Sequence, residues 1–458
     1  MGKGAGNHPW ERNIAFFLTG QAVSLIGSSL VGYAIMWHVT LKTGSGTMMM
    51  AFTVAIMLPM FFISPFGGVW ADNYNRKNLI NIADGFIAAV TLVIAISYAF
   101  GVENIWFLLL CSVARSFGQG VQMPAINALI PQIVPEEKLL RVNGINSMIQ
   151  SVSMLGTPAL AGAILTFFPI QNILFIDVVT AAASITILIL FVQVPDPKQK
   201  RGAVLSSGAA DRGSGDSCTS GGDPCTCDER LPAADNGADM PGKTADEPGK
   251  TADAKAPMLA ELMDGLRYIR EHTFLLRFFA VVACFTFLLA PVALLTPLQV
   301  TRNFGPDVWR LTVIEIAFSI GMVVGGLLMA TWGGFRNKTF TIASSFLILA
   351  AMGVGLGITK VFALYSVFMA VSGITAATSN TPALTVLQQK VDPAYMGRVF
   401  SVMTMITSIV MPLGTVAFGP LSDRVSLDII IIVTSALTGL IGVYVFSDKL
   451  LREAGLPD

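Results

Sequence analysis

Apolar residues in this chain run together instead of alternating with polar ones. Stretches of about 20 residues are long enough to cross a hydrocarbon core of roughly 30 Å as helices. Twelve are predicted, at 14–37, 48–70, 79–100, 105–129, 143–167, 172–193, 274–299, 309–332, 339–358, 361–386, 398–420 and 428–447. The pattern predicts an all-α membrane protein with an N-terminal six-helix half at 1–194 and a C-terminal six-helix half at 274–458. Between them, 195–257 is rich in Gly, Ala, Asp, Ser and Pro, carries the tandem GKTADEPGKTAD, and is expected to be a disordered cytoplasmic linker. At 258–273, Leu259, Leu262, Leu266 and Ile269 share one helical face and Arg267, Arg270 and Glu271 the other, which reads as an interfacial amphipathic helix.

Composition narrows the function. Of 458 residues, 53% are hydrophobic and 13% charged, and the mean hydropathy of +0.67 excludes an ordinary soluble enzyme. Lys plus Arg and Asp plus Glu balance at 29 each, so no basic field predicts nucleic-acid binding. The three His, His8, His38 and His272, are too far apart in sequence to suggest a catalytic triad or a zinc hydrolase. Cys111 and Cys284 fall in spans, and Cys218, Cys225 and Cys227 fall in the linker without a fourth ligand, so neither a disulfide framework nor a metal site is predicted. Gly237–Thr244 (GADMPGKT) has phosphate-loop spacing but lacks the strand before and the helix after that such a loop requires. No cofactor and no ATP are therefore expected. The first apolar run is too long for a signal peptide and should remain as a helix. Lys and Arg concentrate in short segments on one side, at Arg12, Arg76, Lys77, Lys138, Arg141, Arg336 and Lys338, which puts both termini in the cytoplasm.

The halves are internal repeats. Gly67 and Gly68 in GGVWADNYNRK align with Gly325 and Gly326 in GGLLMATWGGFRNK, Pro124 aligns with Pro382, and RVNGINSMIQSVSMLGT at Arg141 aligns with RVFSVMTMITSIVMPLGT at Arg398. Duplicated six-helix units suit an alternating-access carrier, because a pseudo-symmetric pair opens to either side at similar energy.

Gly68, Asp72, Arg76 and Lys77 after the second span resemble the signature of the major facilitator superfamily, with Asn73 and Asn75 departing from it and Ala330 standing where the second half would carry the Asp. GQAVSLI at Gly20, ARSFG at Ala114, MPAINALIPQIVPEEKL at Met123, FIDVVTA at Phe175 and IEIAFSIGMVVGGLL at Ile314 make the chain similar to the macrolide-efflux branch of that superfamily. The resemblance implies the twelve-helix major facilitator fold, a latch at the inner gate through Asp72, and a central cavity bordered by the first, fourth, seventh and tenth helices. It also implies export of macrolide-like drugs by proton antiport across the bacterial cytoplasmic membrane.

Ionisable groups inside spans are expensive to bury unpaired and are functional candidates for that reason. Glu315 leads as proton carrier, with pairing to Arg310 as its structural alternative. Asp177 and Asp84 follow, with a hydrogen bond to a neighbouring helix and pairing with inner-gate basic residues as theirs. Polar stripes at helical spacing mark candidate cavity walls or, alternatively, interhelical contacts: Gln21, Ser24 and Ser28; Arg115, Gln119 and Gln122; Ser372, Thr375, Ser379 and Asn380. Arg115 is alternatively the counter-charge of an acid. Phe285 and the Met-rich stretches 48–50 and 403–411 offer an adaptable apolar wall, although most such residues are expected to face lipid. Gly156 and Pro158, echoed by Pro412 and Gly414, read as hinges. The expected partners are a small amphiphilic substrate, protons and the lipid bilayer, and the expected state is a monomer. The alternatives are a carrier of a lysolipid, siderophore or sugar, and a non-transporting sensor or scaffold.

Overall fold

Capping chemistry at the ends of the apolar runs sets the helix boundaries. Ser45, Asn75, Asn104 and Asn337 each precede a helix and accept hydrogen bonds from its first amides. Asn75, a departure from the family signature, therefore has a local task in starting the third helix. The computed structural model describes residues 9–135, 138–192, 258–392 and 395–456. The first half comprises α1 (Pro9–Thr43), α2 (Gly46–Asn73), α3 (Arg76–Ala99), α4 (Ile105–Ile133), α5 (Leu139–Phe167) and α6 (Ile170–Phe191). After α7 (Met258–Glu271) come α8 (Thr273–Leu294), α9 (Thr296–Phe304), α10 (Val308–Trp332), α11 (Lys338–Ile358), α12 (Phe362–Lys390), α13 (Met396–Leu421), α14 (Leu427–Ser447) and α15 (Lys449–Ala454).

Among the described residues, 11 helical runs are long and apolar enough to cross a membrane, with α8 and α9 joined as one. The remaining long helix, α4, is diluted by Arg115, Gln119 and Gln122. The seventh span, predicted as one helix over 274–299, instead breaks at Leu295. Pro297 has no amide proton to continue the ladder and stands in the first turn of α9, where that loss is harmless.

The described residues up to Val192 and from Glu261 onward form one compact unit. The expected disorder of 195–257 and the linker cysteines lie outside the described residues. Within the large unit the repeat is visible in the packing: α2 lies on α4 as α10 lies on α12, α3 on α6 as α11 on α14, and α1 on α5 as α8 on α13. Small residues permit these approaches. A Cβ on Gly67 would meet the Gly120 carbonyl of α4, and one on Gly325 would meet the Ile374 carbonyl of α12. Large apolar side chains such as Phe62, Ile82, Leu110 and Leu440 are exposed on the outer surface, where lipid replaces water.

The halves meet through α2 against α13 and α5 against α10. At the end carrying Gly44, one hydrophobic core runs across both halves, joining Val31, Trp37 and Leu174 to Leu298, Ile314 and Leu356. Toward the end carrying Arg76, each half has its own core. One is built around Phe17, Ile80 and Leu129, and the other around Leu275, Leu387 and Val399. Helix α7 belongs with the second. Its Ile269 is buried there, its Tyr268 stacks on Tyr395 at 4.4 Å, and Arg267 pairs with Glu271 at 3.0 Å. Leu266 of the expected apolar face is exposed, and the side chains of Leu259 and Leu262 lie outside the described residues.

Candidate functional site

A cavity of about 930 Å³ lies between the halves. Spacings of three and four residues put Gln21, Ser24 and Ser28 on the inner face of α1, and Gln119 with Gln122 does the same on α4. From the second half come Phe285 of α8, Glu315 of α10, and Ser372, Ser379 and Asn380 of α12. Phe285 is held in place by stacking on Phe346 with ring centroids 4.1 Å apart. Thr375, expected on this wall, is buried away from it. Its hydroxyl donates to the Ser372 carbonyl at 2.8 Å, because a hydroxyl inside a helix is readily satisfied by the preceding turn.

Methionines occupy far more of the wall than the sequence suggests. Met49, Met403 and Met411 come from the Met-rich stretches, and Met36, Met154 and Met369 join them from elsewhere. Tyr33 also lines the cavity, close enough to interact electrostatically with Glu315. A run of apolar residues along a helix does not disclose which members face lipid and which face a cavity. Unbranched thioethers give an adaptable surface for a bulky apolar guest.

Glu315 is the one charged side chain among the described lining residues. The alternative pairing with Arg310 does not form. Arg310 instead reaches Asp307 at 3.4 Å and lies over the Trp309 ring. Glu315 thus faces the cavity with no ion-pair partner among the described residues.

Arg115 leaves the stripe it shares with Gln119 and Gln122. It is buried inside the first half, donating from Nη1 to Asp177 Oδ2 at 2.8 Å and to the Thr91 hydroxyl. Asp177 also accepts from Thr91 at 3.1 Å and from Ser28 at 3.2 Å, so α1, α3, α4 and α6 converge on one carboxylate. Arg115 thus stands as the counter-charge of Asp177 and is absent from the described cavity lining, as expected for a guanidinium this deep with a carboxylate in reach. Asp84, also buried, accepts from the Gln122 amide and from Ser24 at 3.5 Å, and its Oδ2 has no partner. It does not pair with the basic residues at the start of α3. Arg76 donates to the carbonyls of Ala71 at 2.9 Å and Ala128 at 2.7 Å, and Lys77 to those of Ile189 at 3.1 Å and Val192 at 2.7 Å.

The side chain of Asp72 lies outside the described residues, and Gly68 beside it has open space where a Cβ would stand. The proposed hinge residues lie on the two helices that face the opposite half, but their surroundings differ. Gly156 has open space, whereas a Cβ on Gly414 would strike Ala290 and the Phe287 carbonyl of α8.

The closed end is held by a polar cluster that sequence reading passed over. Asp423 accepts from Ser45 Oγ at 2.7 Å, from the Gly46 amide at 2.7 Å and from the Thr47 amide at 2.9 Å, which places an acid of the second half on the N-terminus of α2. Arg302 bonds Asp423 at 3.0 Å and the Gly44 carbonyl at 2.7 Å. Partial burial works to raise the Asp423 carboxyl, but hydrogen bonds from Thr47, Ser45 and Gly46 outweigh it and hold the group well below the usual carboxylate range. Beneath the cluster Gly46 and Gly419 cross with no room for a Cβ on either.

Comparison with known proteins agrees with this architecture. "Macrolide efflux protein A" of Streptococcus pyogenes is 27% identical over 425 residues, 92% of this chain and 91% of the relative. The protein of that name from Enterococcus faecalis is 26% identical over 373 residues, 80% of this chain and 98% of its own. Among solved structures, a bacterial homologue of the human lysosomal transporter Spinster in an inward-facing, unoccupied conformation matches with a TM-score of 0.60 at 13% identity, covering 99% of this chain and 96% of that one. The nucleoside transporter NupG matches with a TM-score of 0.62 at 14% identity, covering 95% and 99%. These likenesses at low identity show the fold. The sequence profile of the Major Facilitator Superfamily matches residues 17–415, and the chain belongs to that superfamily as a multi-pass membrane transporter, not an enzyme.

Proposed function

We propose that this transporter is a proton-coupled exporter of bulky amphiphilic drugs that bear an amine, with macrolides first among them, in the bacterial cytoplasmic membrane. The observation that carries the reading is the large, Met- and Phe-lined cavity whose only described charged wall residue is Glu315. An unpaired carboxylate in a low-dielectric site is costly, and either a proton or a cationic guest relieves it. Proton and substrate therefore compete for one group, which is one way to couple their movements in opposite directions. The names of the relatives from Streptococcus pyogenes and Enterococcus faecalis support the macrolide assignment.

With both termini cytoplasmic, as the distribution of Lys and Arg favours, the Gly44 end is external and closed, and the separate cores of the two halves lie on the cytoplasmic side. Substrate then enters from the cytoplasm or the inner leaflet. Release requires the Asp423–Ser45 cluster to part while the Gly68–Lys77 turn approaches the second half. The test is accumulation of a labelled macrolide in drug-sensitive bacteria expressing the protein, with and without a protonophore. Lower accumulation that the protonophore abolishes is expected. Unchanged accumulation with the protein folded in the membrane would reject macrolide export.

A further inference from the structure

We infer that Asp84 is a second proton-binding site, set behind the cavity wall and read by substrate through Ser24 and Gln122. The inference rests on the exporter reading above and adds a site that the cavity itself does not display.

Charge balance is the first support. Among the described residues, the interior of the first half holds two carboxyls, Asp84 and Asp177, and one guanidinium, Arg115. Arg115 is spent on Asp177 at 2.8 Å, and Thr91 and Ser28 complete the shell of that carboxylate. Asp84 receives no cation. Of the helices around it, α1 brings Ser24, α4 brings Gln122, and α6 brings Asp177, whose charge opposes a second negative charge nearby. Lys77, on the same helix as Asp84, is committed to carbonyls of α6. Asp84 Oδ2 is buried without a partner, an arrangement that is expensive for an anion and far less so for a neutral acid.

Connection to the cavity is the second support. Asp84 does not line it, yet both of its donors, Ser24 and Gln122, do. They form a layer one side chain thick between guest and acid. A guest that draws either donor toward itself uncovers Asp84 to the cavity and to water, where the proton can leave. Ser28 stands in the same relation to Asp177, but that carboxylate is paired with Arg115 at 2.8 Å. The geometry thus separates a fixed ion pair from an exchangeable acid within one half.

The test uses the full-length protein in proteoliposomes with a labelled macrolide. Asp84→Asn keeps the acceptor for Gln122 and Ser24 while holding the site permanently neutral. Macrolide exchange at equal pH on both sides should survive, and accumulation driven by an imposed pH gradient should fall by about tenfold. Gln122→Leu, which removes one of the two donors to Asp84, should shift the pH profile of exchange. Wild-type gradient-driven accumulation and an unchanged pH profile in Asp84→Asn would overturn the inference. If that variant fails to reach the membrane folded, an unchanged pH profile in Gln122→Leu overturns it instead. Absence of gradient-driven transport in the parent protein would strike the exporter reading, whereas coupled transport in the parent with an indifferent Asp84 strikes this inference alone.

Discussion

The two halves share a fold but handle buried charge differently. The first half places Arg115 and Asp177 at its centre, surrounded by Thr91 and Ser28, out of reach of the cavity. The second half has an ion pair nearer its rim. There Lys360 meets Asp428 at 2.7 Å, and Gln299, held by the buried Tyr365 hydroxyl at 2.8 Å, donates to the same acid. On the cavity wall, Glu315 is the one charged side chain among the described residues. A compensated charge holds helices together, whereas an uncompensated one is expensive in a low-dielectric interior, and each half keeps one such acid, Asp84 behind the cavity wall and Glu315 on it.

The contrast is broken most severely at Arg115. Replacement by Leu leaves Asp177 buried without its cation, and stability should fall by about 3–5 kcal/mol, read as loss of folded protein or a lower unfolding temperature in detergent. Replacing Asp177 by Leu in the same chain should recover much of that loss. A destabilised double variant would mean that the network matters beyond its charge balance.

Asp423→Ala acts where the halves meet. Losing the cap on α2 should weaken closure of the Gly44 end by about 1–2 kcal/mol, measurable as greater labelling of a Cys placed at Thr47. Unchanged labelling would assign closure to the shared apolar core alone. Glu315→Gln should leave the protein folded, because no described ion-pair partner is left behind, while active efflux drops. A large loss of stability would show that Glu315 is structural after all. The smallest effect concerns pH. The carboxyl of Asp423 is depressed, so its contribution is present above the ordinary carboxylate value of about 4 and is lost only as pH falls through its lower folded value. Closure of the Gly44 end should therefore be the same at pH 5 and pH 7.5, and loosening by pH 5 would contradict the capped state of Asp423.

Much of this organisation is legible in the chain because membrane helices declare themselves by length and their faces by period. The long apolar helices, the duplicated halves, and most of the stripes on α1, α4 and α12 are accessible in that way. Pairing is not. Arg115 and Asp177 are 62 positions apart, and periodicity assigns each a face on its own helix without saying which neighbour that face meets. Arg115 accordingly looked like a companion of Gln119 when its partner stood on α6. Thr375 shows the same limit on a smaller scale, since a stripe at the right spacing still contains a member turned into the helix contact. The Asp423 cluster was missed because an acid in a short polar turn carries no signal until the N-terminus of α2 is placed against it.

The central claim is that Glu315 compensates the charge of the guest. It is tested most directly by measuring the affinity of the purified protein for an amine-bearing macrolide and for the analogue in which the amino group is replaced by hydroxyl, in the parent and in Glu315→Gln. The parent should favour the amine, and the variant should bind both alike. Undiminished preference for the amine in Glu315→Gln would contradict the account.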